Sequence, residues 1–210
     1  MSPSTRSPTT RASSHLAVLV GASIALAIVS GIASTVLAGA RGETVATAVL
    51  PGADGPVPLL LVGVLWVVVP ACVLVLVAVT IRTDGRPRWW ARAAVLGTAA
   101  WIGTIPFFHT SRTSSDDYYV RSFGTASARV EAVATGTGLG IGCVVGAGAI
   151  TFVVAVLLFR LVPSFRLPTD WQERTPEEQR TWSAPRGRLV GLVLLGLLVT
   201  GPVVVAVVTT

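Results

Sequence analysis

The residues with the clearest claim to chemistry are His109, Asp116 and Asp117, grouped in one polar stretch. An imidazole beside two carboxylates could hold a divalent cation. The spacing fits no established metal site, however, and the two cysteines, Cys72 and Cys143, lie far off inside apolar blocks, where cysteine behaves as a small hydrophobe. A solvated loop is therefore the expectation. No G-x-S-x-G, P-loop, H-E-x-x-H or dinucleotide-binding pattern occurs. Gly136 to Gly142 is glycine-rich, but no strand precedes it and no lysine follows. The expectation is a protein that is not an enzyme and holds neither cofactor nor metal.

What remains is residues that shape helices. Gly138, Gly142 and Gly146 recur at intervals of four, with Gly136 and Gly140 offset between them. Residues four apart share a helix face, and glycine lets a second backbone approach closely. Gly31, Thr35 and Gly39 repeat the pattern in an earlier apolar block, with Ala27 before them. These two stripes predict close packing of the first and fourth apolar blocks, or alternatively a face for a second copy of the chain. Pro70 and Pro202, with Pro106 near a block's end, predict kinks, because proline frees the carbonyl four residues earlier; for Pro70 that is Trp66.

The elements that must carry these residues follow from hydropathy. Of 210 residues, 52% are hydrophobic and only 12% charged, about half the charge of a soluble domain. Mean hydropathy is +0.73. The apolar residues come in blocks long enough to cross a bilayer core, which takes about 20 helical residues. The fold class expected is all-α: a polytopic integral membrane bundle of five helices, spanning about 16–40, 58–81, 89–108, 132–159 and 189–208. Residues 1–15 read as a disordered cytoplasmic tail. The third block is the shortest and needs Trp89 as its start, with Arg92 reaching back to the interface.

Arginine placement sets orientation. The chain has no lysine, and twelve of its sixteen basic residues (Arg6, Arg11, Arg82, Arg86, Arg88, Arg92, Arg160, Arg166, Arg174, Arg180, Arg186 and Arg188) fall on one side of a five-span arrangement. Arg41, Arg112, Arg121 and Arg129 fall on the other. Cytoplasmic loops carry the excess of basic residues, so the N-terminus is expected inside and the C-terminus outside. This also explains the net charge of +6 without nucleic acid. Ala38-Gly39-Ala40 has the form of a signal-peptide cleavage site, but the apolar run before it exceeds the usual 7–15 residues, which favours retention.

The cytoplasmic loop 160–188 carries Thr175-Pro176-Glu177-Glu178, a capping box with proline at the first helical position, and predicts one or two short helices with Trp171 and Trp182 at the interface. All ten acidic residues lie in predicted loops, which argues against a proton-coupled carrier. The function expected is assembly through helix contacts, with itself or as accessory subunit of a complex in the plasma membrane. The alternative is a transport protein or permease subunit. The bilayer is the partner expected in either case.

Overall fold

The computed structural model describes residues 8–50, 56–84, 89–108 and 120–209, and among them every regular element is helical. The five long helices are α1 (Pro8–Val49), α2 (Pro56–Asp84), α3 (Trp89–Ile102), α4 (Ser127–Leu161) and α5 (Pro176–Thr209). Four stretches are long and apolar enough to cross a membrane: Ala17–Val49, Val57–Ile81, Val120–Leu161 and Pro176–Val208. The fifth candidate is α3, whose 14 residues reach only about 21 Å. A 3-10 turn, Ile105–Phe107, extends it.

Several boundaries differ from the sequence expectation. Residues 8–15 continue into α1 as helix, while 1–7 lie outside the described residues. The helix also runs past Ala40, through a non-helical Arg41 (φ −145°, ψ 29°), to Val49. The capping box is present but does not start a separate short helix. Thr175 Oγ1 and the Thr175 N–H donate to Glu178 Oε2 at 2.9 and 2.8 Å, and the helix so begun runs through Pro185 and Pro202 to Thr209.

α2 is the central element. It is apolar on every face, as a helix surrounded by others must be. One third of its most apolar window is buried, against 6% for the corresponding windows of α1 and α5. Its register against α4 gives the direction of packing. Gly136 lies against Leu60 and Gly63, and Gly140 against Val64 and Val67, so the numbers rise together and the two helices run parallel. α5 runs the other way: Gly191 meets Val79, and Leu198 is buried with Val64 and Val68. We call the end where α2 and α4 begin upper and the opposite end lower. Since α2 and α4 both descend, the chain between them must climb back, and α3 is the element that does so.

The core forms two clusters. The upper one gathers Ala46, Leu50, Leu59, Phe107, Phe108, Phe123, Val130 and Val133; the lower one gathers Val64, Val68, Ala147 and Leu198. α1 packs on α3 and its 3-10 extension, and α4 packs on α2 and α5. The expected pairing of the first and fourth spans through their small-residue stripes is therefore corrected: among the described residues α1 packs on α3 rather than on α4, and Arg129 reaches the Leu50 carbonyl just past the end of α1. Small residues permit close approach, but they do not name the partner.

Candidate functional site

Pro70 sits buried within α2 and cannot donate to the carbonyl of Trp66. That carbonyl is not orphaned. The Trp101 indole N–H, from α3, donates to it at 2.9 Å. In return the Trp66 indole N–H donates to Thr104 Oγ1 at 2.9 Å, and Thr104 Oγ1 donates to the Trp101 carbonyl at 2.6 Å. The two rings stand 4.9 Å apart. Two tryptophans, one threonine and a proline thus form a closed hydrogen-bond circuit between α2 and α3. The circuit gives the carbonyl that Pro70 frees a donor from another helix and so ties the broken α3 to the central helix.

An aromatic column rises from this circuit. Trp66 meets Phe108 at 5.3 Å edge-on, Phe108 meets Phe107, and Phe107 meets Phe123 at 5.6 Å. A cavity of about 160 Å³ lies beside it, lined by Leu37, Val45, Val49, Trp66 and Phe107 among others. Phe123 closes the upper end against Gly42, where a Cβ would lie 2.4 Å from the Ser122 carbonyl oxygen, so only glycine fits there. Just beyond, Glu43 accepts from the Thr125 N–H and hydroxyl at 3.1 and 2.6 Å, and Gly124 turns with φ +48°. The irregular Arg41 lets α1 lean into this contact.

The predicted packing residues separate into two groups. Gly136 and Gly140 are consumed by α2; a Cβ at Gly136 would come within 2.1 Å of the Leu60 carbonyl oxygen. At Gly138, Gly142 and Gly146, two residues round the helix, no other element among the described residues comes within 4 Å of the Cβ position. Their expected role within the bundle is thus taken by the offset pair. Gly31 packs on Gly103 and Pro106, not on α4; Thr35 returns its hydroxyl to the Gly31 carbonyl, and Gly39 faces open space. Pro202 is buried in α5, one residue after Gly201, which abuts Cys143. His109, Asp116 and Asp117 lie outside the described residues, and among those described no cluster of histidine, cysteine and acid could hold a metal.

The freed Trp66 carbonyl follows from Pro70 in the sequence; the Trp101 donor that meets it does not. The signal was present: a tryptophan three residues before a threonine, on the span next to a proline. No protein-family model, no curated protein and no solved structure matches this chain.

Proposed function

We propose that this chain is a multi-pass protein of the cell membrane with five crossings, its N-terminus cytoplasmic and its C-terminus external, and that it acts by helix-mediated assembly. The partner is a second copy or another membrane subunit. Two independent lines support the topology. Parallel α2 and α4 need a return crossing, which α3 supplies. The same five crossings put the arginine-rich segments on one side.

The observation that carries the assembly reading is the uncovered face of Gly138, Gly142 and Gly146 beside a matching face already filled by α2. α4 repeats the same small-residue spacing on two sides, and only one has a neighbour among the described residues. Between helices in lipid, association rests on close packing more than on burial of apolar surface, so this face suits a helix better than it suits lipid. Gly142→Ile is expected to abolish association in mild detergent while membrane insertion persists. Unchanged complex size in that variant would count against the reading.

A transport role is the second reading, motivated by Pro70. Its freed carbonyl is held by an indole from a different helix, a bond that could be exchanged as α3 moves. Under it, Pro70→Ala or Pro202→Ala changes flux in vesicles while the protein stays folded. Equal flux in wild type and both variants removes that reading.

A further inference from the structure

The lower ends of α4 and α5 enclose a cavity of about 280 Å³. Its walls are layered. Ala155, Phe159 and Val190 face it from the apolar stretches of the two helices, and Trp171, Trp182 and Arg186 close it beyond them. The indoles stand 5.2 Å apart at 67°. The Arg186 guanidinium carbon lies 3.9 Å from the Trp182 ring centroid, which fixes the plane of the fork. Arg186 Nε donates to the Ser164 carbonyl at 2.9 Å, and its terminal nitrogens reach the Ser164 and Trp182 carbonyls. All these acceptors are neutral, so they orient the cation without cancelling its charge. No acidic side chain lines the cavity, and of the acids in the preceding segment Glu178 is engaged with Thr175 and Asp170 with Arg174 at 3.1 Å.

We propose that this cavity binds the headgroup of an anionic phospholipid, its phosphate at Arg186 and the start of an acyl chain against Ala155 and Val190. Three features point to lipid. The cavity lies where an apolar span ends, its polar and apolar walls are stacked in the order of a phospholipid, and indoles favour that depth. The segments at this end are also the arginine-rich ones, which supplies charge complementarity. The inference rests on the membrane reading above, but not on which side of the membrane this end occupies.

The test uses the full chain in detergent micelles, titrated with phosphatidylglycerol or phosphatidylcholine and read as lipid adducts by native mass spectrometry. A charge-assisted, forked contact should favour the anionic lipid by about tenfold or more. Arg186→Gln should bring that ratio close to unity with helicity unchanged, whereas Arg180→Gln should leave it intact. Should Arg186→Gln fail to fold, Ala155→Phe fills the apolar floor, keeps the guanidinium, and should lower adduct formation. A ratio that survives both Arg186→Gln and Ala155→Phe overturns the site. Competition by millimolar inorganic phosphate as effective as that by lipid also overturns it, in favour of a soluble anion. If instead the chain never enters the membrane fraction, the membrane reading itself has failed.

Discussion

At the scale of single residues, the Trp66 carbonyl is the most informative atom in the bundle. Proline at position 70 removes its helical partner, and Trp101 replaces it from another helix. Trp101→Phe keeps an aromatic ring and deletes the donor, leaving the carbonyl that Pro70 frees without its partner, at a cost of about 1 kcal/mol. Adding Pro70→Ala should recover most of that loss, because alanine restores the helical N–H. Thermal unfolding of the single and double variants in detergent checks this; a double variant less stable than Trp101→Phe alone would refute the account. A second residue-scale prediction concerns pH. The Thr175 N–H, and then its hydroxyl, hold the Glu178 carboxyl below its ordinary pKa. A depressed carboxylate contributes its stability fully above the unfolded-state value of about 4.3 and loses it as pH falls through the lower folded value. The start of α5 should therefore fray only in acid below that range. Thr175→Ala should produce similar fraying at neutral pH at a cost of about 1 kcal/mol. Amide exchange at residues 178–180 reads both.

Elements were legible where apolar length decides, and less so where geometry does. The extents of α2 and α4 match the hydropathy blocks closely, because apolar runs of that length are far too long for strands and suit a helix. The start of α3 at Trp89 is legible from the shortness of the third apolar block, which reaches a usable length only from there. Its break at Gly103 was not, since a glycine and a threonine fit a continuing helix equally well in sequence. The polar, arginine-bearing stretch 160–188 reads as a loop with short helices ahead of a last span from 189, yet α5 already begins at Pro176 and runs on through Pro185, because the capping box at Thr175 sets the helix start upstream. The partner of each glycine stripe was unreadable for a different reason: spacing gives a face, and only register gives a neighbour. Two substitutions separate the faces of α4 and α2. Gly63→Ala would drive a Cβ to 2.1 Å from the Val133 carbonyl oxygen, an overpacking that costs about 1–3 kcal/mol or more. Gly138→Ala meets nothing and should leave the melting temperature of the isolated chain unchanged. The register of α5 has its own check. A Cβ at Gly201 lies 3.3 Å from Cys143 Sγ, so Gly201→Cys with Cys72→Ala should oxidise to an intramolecular disulfide. Two freely alkylated thiols under oxidising conditions would place α5 wrongly.

For the whole molecule, the central claim is that α3 crosses, so that α2 and α4 descend together and the chain ends opposite to where it begins. Four crossings would make α2 and α4 antiparallel, against the register of Gly136 on Leu60 and Gly140 on Val64. They would also put the arginines of 160–188 outside. The direct measurement is a pair of reporter fusions, one active only outside the cytoplasm and one only within it, placed after Arg174 and after Thr210. The account predicts the external reporter active at Thr210 and silent at Arg174, with the cytoplasmic reporter giving the converse. An external reporter silent at Thr210, with the cytoplasmic one active there, would mean an even number of crossings and would contradict the account.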